Sequence, residues 1–302
     1  MDGSSSACSP PCLLTGCECV HIVKSDIKLL LAKDAIYFPK WDYVDTVQKD
    51  GMTWKMRATV VWWFVRLARK YDQSRDVVSH AINLLDRYLS LVSCSPKDLK
   101  LASTACIIMS SKLLADQTTL KMAEICQHCD ENFKTSDVQC MELKILEALN
   151  YYLQPALPYD FLQAVVSFFP TPELYLRAEG LLDKSHCVHL LLKYPPATKA
   201  LAASVYAFYL RECCRSTGLC SCIRSFLAQA SAIGLVFEKS TQECLSLMKR
   251  FFNHSQINTS NSSCCLDLAQ APTCLSTRYI VSEWFPSVSS RKRPRPDETQ
   301  SV

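Results

Sequence analysis

Lys55-Met56-Arg57-Ala58-Thr59-Val60-Val61-Trp62-Trp63 is the stretch on which the reading of this chain turns. One strong cation, Arg57, stands between Met56 and Ala58 at the head of an apolar run over residues 58–68, which Arg66 alone interrupts. No apolar run in the chain approaches the ~18 residues that a membrane span needs, so the segment reads as part of a globular helical protein.

Working outward, the same kind of pattern recurs. Val77, Val78, Ala81, Leu84, Leu85 and Leu89 line one helix face behind Ser74, and Asp86 lies among them. Leu99, Leu101, Ala102, Ala105, Ile108 and Met109 form another stripe, with Pro96 near its start, where the fixed φ of proline is harmless. Val138, Met141, Ile145 and Leu149 make a further one, behind the N-cap candidates Thr135, Ser136 and Asp137. Strand-like alternation is not evident. Pro155 and Pro158 punctuate the chain. A second helical series of equal apolar content follows, broken at Pro170, Pro172 and Pro195-Pro196, and this predicts a second core. The expected organisation is an irregular Ser-, Cys- and Pro-rich segment (1–25), a first helical domain with a preceding helix (26–153), a second helical domain (154–253) and a polar, disordered tail (254–302). The fold class is all-α, with two tandem helical domains between flexible ends.

Bulk properties agree. Among 302 residues, 49% hydrophobic and 21% charged is an ordinary globular balance. Six glycines are too few for glycine-rich phosphate loops, a scarcity that helices tolerate. The net charge of +4 is modest and does not point to nucleic acid. Residues 1–12 lack a basic segment followed by an apolar one, so no secretory signal is expected. The 18 cysteines are then expected to stay reduced, and the Asn-x-Ser/Thr matches at Asn253, Asn258 and Asn261 lose their meaning.

Four blocks carry a resemblance. Residues 55–63 resemble the opening helix of the cyclin box, which typically reads Met-Arg-Ala-Ile-Leu before a tryptophan. Asn83-Leu84-Leu85-Asp86-Arg87-Tyr88-Leu89-Ser90 is similar to its second helix, Ala105-Cys106-Ile107-Ile108-Met109-Ser110-Ser111-Lys112 to the third, and Cys140-Met141-Glu142-Leu143-Lys144-Ile145-Leu146-Glu147-Ala148-Leu149 to the fifth. Tyr43 through Gln48-Lys49, Pro158-Tyr159-Asp160-Phe161-Leu162 and Tyr194-Pro195-Pro196 resemble D-type cyclins in particular, and residues 145–149 are also close to cyclins carried by some viruses. The chain is identified as a member of the cyclin family with D-type features. The resemblance implies two five-helix cyclin-box domains and a non-catalytic regulatory subunit of a cyclin-dependent kinase. Glycine-rich loop, His-Arg-Asp and Asp-Phe-Gly, the machinery of a kinase, are missing from the sequence.

The resemblance also implies roles. Arg57 and Asp86 pair between the first two helices; the other reading of Arg57 is a side chain pointing into solvent. Lys112 read by itself complements a helix C-terminus and reaches for water. The resemblance instead makes Lys112 and Glu142 the kinase-binding pair, with Leu113 and Leu114 beside them where the family commonly carries an aromatic or methionine and charged residues. Met56, Val60 and Trp63 would line a docking groove for Arg-x-Leu motifs of substrates and kinase inhibitors. Arg66 stands where the family usually has an acid, so docking is expected to be weakened by like charge. Leu13-Leu14-Thr15-Gly16-Cys17-Glu18 is a spaced-out version of the pocket-protein motif of D-type cyclins and is assigned no docking. Thr273 lacks the proline that follows a turnover threonine. Arg291, Lys292, Arg293 and Arg295 suit a nuclear-import signal, with a solubilising charge run as the other reading. That gives nucleus and cytoplasm as the expected location.

Cys126-x-x-Cys129 has the spacing of half a zinc site, but no second pair stands at a usual distance, and buried thiols are preferred. No metal, cofactor, nucleic acid or membrane partner is expected. Two other functions stay open: a cyclin-fold scaffold or inhibitor that does not activate a kinase, and a transcription-related cyclin-fold protein. The latter would need a basic DNA-facing surface that the sequence lacks.

Overall fold

A computed structural model describes residues 16–114, 119–126, 133–210 and 221–252, with the backbone alone described for 16–25. The described residues are helical, without strands. In chain order the helices are α1 (Gly16–Ile36), α2 (Tyr43–Thr46), α3 (Trp54–Lys70), α4 (Arg75–Leu89), α5 (Pro96–Leu114), α6 (Met122–Cys126), α7 (Thr135–Ala148), α8 (Pro158–Ala164), α9 (Pro172–Ser185), α10 (Pro196–Tyr209), α11 (Ser221–Ala232) and α12 (Lys239–Phe252). Helices α3–α7 surround one core and α8–α12 a second.

The helix starts are written locally. Thr53 Oγ1 accepts from Met56 N at 3.3 Å at the head of α3, and Ser74 Oγ accepts from Val77 N at 3.3 Å at the head of α4. Asp137 and Asp160 reach back to accept from Lys134 N and Leu157 N at 2.9 and 2.7 Å. Each ties down a donor that the first turn leaves orphaned. The prolines at 158, 172 and 196 each open a helix rather than merely closing the previous one, because the first helical position has no intrahelical use for an N–H.

Each core has a central helix. α5 buries Leu99, Ala102, Ala105, Cys106, Ile107, Ile108 and Met109 against α4, α7 and α3. α10 buries Leu201, Ala202, Ala203, Val205, Tyr206 and Phe208 against α8, α9 and α12. A helix apolar nearly all round belongs inside. The polar residues that such positions contain bond to their own helix: Ser103 Oγ donates to Leu99 O at 2.6 Å, Ser110 Oγ to Cys106 O at 2.8 Å, and Ser204 Oγ to Ala200 O at 2.8 Å. Cys106 and Cys244 are fully buried and free, as small apolar side chains.

α1 departs from expectation in two ways. It begins at Gly16, inside the segment read as irregular, since the prolines that argued against structure end at Pro11. It also packs on α8 and α10, with Ile27 fully buried in the second core, although it precedes the first domain in sequence. The chain then crosses back: Tyr37 O accepts from Asn83 Nδ2 at 3.2 Å, and Lys40 N donates to Ser90 Oγ at 3.0 Å. Gln48 then clamps the turn after α4, donating to Leu89 O and Val92 O and accepting from Cys94 N.

Candidate functional site

Two ion pairs join helices that the sequence reading matched. α5 ends at Leu114, and the stripe of α7 docks Val138, Met141 and Ile145 on the first core, so the end of α5 lies against the middle of α7. Lys112 Nζ there donates to both carboxylate oxygens of Glu142, at 2.7 and 2.9 Å. The Lys112 side chain is 49% exposed and that of Glu142 13%. Exposed apolar residues accompany both: Leu113 and Leu114 beside the lysine and Leu143 beside the glutamate. Leu143 was missed at the sequence level, although it falls off the apolar stripe of α7, and that was the available signal.

Arg57 and Asp86 are each 1% exposed. Arg57 Nε and Nη2 donate to the two Asp86 oxygens, both at 2.7 Å, a bidentate fork. The solvent-facing alternative for Arg57 is thereby removed. Two further partners were not foreseen: Tyr43 OH donates to Asp86 Oδ1 at 2.9 Å, and Arg57 Nη1 donates to His186 O at 2.8 Å. Burial alone would lower the pKa of the guanidinium; the adjacent Asp86 more than offsets it and holds Arg57 charged. Burial, then the Asp86 charge, pushes the Tyr43 phenol well above its ordinary value, so it remains a donor. No sequence signal could have paired residues 43 with 86 or 57 with 186, because the contacts exist only across helices.

The pair also ties the two halves together. Trp54 stacks on His189 at 4.8 Å, and Arg75 Nη1 meets Glu179 Oε2 at 2.6 Å. Arg75 Nε also lies 3.5 Å from Asp183 Oδ2, and within the second half Tyr159 OH donates to Asp183 Oδ1.

The four residues expected to form a docking groove are not brought together at a surface. Val60 and Trp63 are fully buried in the first core; Met56 and Arg66 are partly exposed. Ten residues along one helix separate those two by ~15 Å. Helical periodicity explains the difference: Val60 and Trp63 lie on the stripe with Phe64 and Leu67, which faces inward. Arg291, Lys292, Arg293 and Arg295 lie outside the described residues, as does Cys129. Cys126 is buried. Among the described residues no group of three His, Cys, Asp or Glu side chains could hold a metal ion, and no helix is long and apolar enough to cross a membrane.

Known proteins resemble this chain in sequence and in fold. Residues 26–154 match the family model described as Cyclin, N-terminal domain. G1/S-specific cyclin-D2 of Gallus gallus is 26% identical over 258 residues, 81% of this chain and 88% of the relative. Cyclin-A1-2 of Oryza sativa subsp. japonica is 28% identical over 180 residues, 58% of this chain and 37% of the relative. A viral cyclin from herpesvirus saimiri shares the fold, with a TM-score of 0.59, 19% identity, and coverage of 76% of this chain and 95% of the viral one. Residues 26–154 thus resemble a cyclin N-terminal domain, the chain is similar in sequence to D-type cyclins over most of its length, and it has the all-helical cyclin fold.

Proposed function

We propose that this chain is a regulatory subunit that binds a cyclin-dependent protein kinase and activates it allosterically, in the manner of a D-type cyclin acting in G1. The observation that carries the reading is the Lys112–Glu142 pair at 2.7 Å, with the lysine half exposed and the neighbouring residues in the chain, Leu113, Leu114 and Leu143, exposed as well. A preformed charged pair on helices that also expose apolar side chains suits a partner offering both backbone polar groups and an apolar face. Lys112 donates to backbone carbonyls of the kinase segment ahead of its regulatory helix, and Glu142 accepts from backbone amides there. Binding only the inward position of that helix shifts the kinase population toward its active arrangement, and the subunit contributes contact energy but no chemical group.

Docking of Arg-x-Leu motifs is weak in this reading, since Arg66 repels the arginine of the motif and Val60 and Trp63 are engaged in the core. The basic cluster at residues 291–295 directs nuclear import, which gives a nuclear and cytoplasmic distribution. A second reading, a kinase-binding scaffold or inhibitor, is favoured by Leu113 and Leu114, which offer apolar contact where the family carries charge. The experiment that separates these is a pull-down and phosphorylation assay against a panel of cyclin-dependent kinases with wild type and Lys112→Glu. Capture and activation that both vanish in the variant support activation. Capture without activation supports the scaffold, and no capture of any kinase overturns both.

A further inference from the structure

A partly open cavity of about 40 Å³, walled mainly by apolar side chains with a few polar groups among them, lies between the two cores. Arg57, Asn83 and Asp86 line it from the first, and His186 and Lys199 from the second. At ~10–15 Å³ for each water position, it has room for about three small polar groups.

The polar inventory of its walls does not close. Asp86 is satisfied by the Arg57 fork and the Tyr43 hydroxyl. The His186 ring is different: the residue is 9% exposed, and its Nε2 is buried with no hydrogen-bond partner. Asn83 donates through Nδ2 to Tyr37 O, which fixes the amide orientation and leaves Oδ1 buried and unpartnered. The side-chain ammonium of Lys199, in the first turn of α10, makes no hydrogen bond or ion pair among the described residues. Asp34 accepts from the Ala197 N–H and reaches Lys199 only at longer range.

Charge decides what kind of group is missing. Arg57 is neutralised by its direct fork to Asp86, whereas the partly buried Lys199 has no directly bonded counter-ion among the described residues: burial lowers its pKa, and Asp86 and Asp34 offset this only from a distance. Leaving buried donors and an ammonium without partners costs several kcal/mol, and water would satisfy the hydrogen bonds while leaving the charge. We propose that the cavity is a binding site for a small carboxylate anion, of formate or acetate size, held by the Lys199 ammonium and the His186 Nε2–H. Burial, with Lys199 and Arg57 nearby, lowers the pKa of His186 to about 3, so the ring is neutral, and its Nε2–H tautomer donates to the anion. A water beside the anion supplies the donor for Asn83 Oδ1. Because the walls come from both domains, the bound anion bridges them as the Arg57 contact with His186 O does. The inference is independent of any kinase partner.

The test uses the full chain. Thermal unfolding and calorimetric titration with sodium acetate are compared with sodium chloride at equal ionic strength and with inorganic phosphate. Acetate is expected to raise the Tm saturably, with a dissociation constant in about the millimolar range, while chloride and the bulkier phosphate do not. Lys199→Met should weaken acetate binding about tenfold, as expected for losing a charged hydrogen bond. Ser79→Leu, which fills the cavity from a buried wall position without altering charge, should abolish it. Acetate should also shift the His186 ring protons in the NMR spectrum of the wild type, a readout that stands if a variant fails to fold. Equal responses to acetate and chloride, wild-type affinity in Ser79→Leu, or an unmoved His186 ring would each overturn the proposal and leave a cavity that holds water alone.

Discussion

The two ion pairs of the first domain use the same chemistry to opposite ends. Arg57–Asp86 is 1% and 2% exposed at its side chains, and Lys112–Glu142 is 49% and 13% exposed. In the first pair each Arg57 nitrogen and each Asp86 oxygen has a protein partner: two fork bonds, the Tyr43 hydroxyl and the His186 carbonyl. The second has its partners in each other and a solvent-facing side left over. A buried ion pair bonded on to its neighbours stabilises an architecture, and one that is half exposed leaves charge available to a partner. The residue types support this division, since a planar guanidinium suits a fixed fork and an ammonium on a flexible stem suits a surface that must adapt.

Substitutions can break or sharpen that contrast. The largest effect is expected from Arg57→Ala, which leaves the Asp86 carboxylate buried with one hydroxyl donor. Urea unfolding should register a loss of ~3–5 kcal/mol. The double replacement Arg57→Met with Asp86→Leu should recover part of it, and incompletely, because Tyr43 OH and His186 O then lose their partners. Should Arg57→Ala unfold like the wild type, the buried pair is not the brace described.

Next in size, Lys112→Glu should weaken kinase capture about a hundredfold or more, as expected when a charged anchor at an interface is reversed, measured by surface plasmon resonance on the kinase identified by pull-down. An intermediate case is Asp34, 8% exposed, whose carboxyl lacks a forked partner. Burial raises its pKa to about 6, against the pull of Lys199 and the Ala197 N–H. The folded chain therefore holds a proton between pH 3.8 and about 6 that the unfolded chain has lost. That contribution is complete below the lower value and is lost as the pH rises through the upper one. Asp34→Asn should thus gain stability relative to wild type across this window, reaching about 1–3 kcal/mol at pH 7; a pH-independent difference would show that the carboxyl is not the cause.

The smallest effect is expected from Lys112→Ala on folding alone. The lysine is half exposed, and thermal unfolding should change by less than ~1 kcal/mol, even as kinase capture falls. A large loss of stability there would erase the distinction between the two pairs.

Much of this was legible beforehand. The inward stripes of α4, α5 and α7, the cap at Ser74 and the proline start at Pro96 are local properties, and the helices follow them; Thr135, Ser136 and Asp137, expected ahead of α7, instead form its first turn behind Lys134. Lys112 and Glu142 were paired through resemblance, and the distance agrees. The docking residues illustrate the limit. Val60 and Trp63 could be read as lining a groove or as core, because periodicity identifies a shared face without saying what covers it. α1 shows a second limit: its packing on the second domain depends on where the chain returns 130 residues later.

Spacing, caps and motifs within a few turns of chain were enough to read that this protein is helical, where helices such as α4 and α5 start, which faces are apolar, and that it resembles cyclins. Only the tertiary structure decided which ion pair is closed and which is open, that Tyr43 and His186 complete the Arg57–Asp86 network, that α1 crosses to the second core, and that Lys199 and His186 face a common cavity. Those are contacts between residues far apart in sequence, and burial, which sets the strength and use of a charge, exists only once the helices have packed.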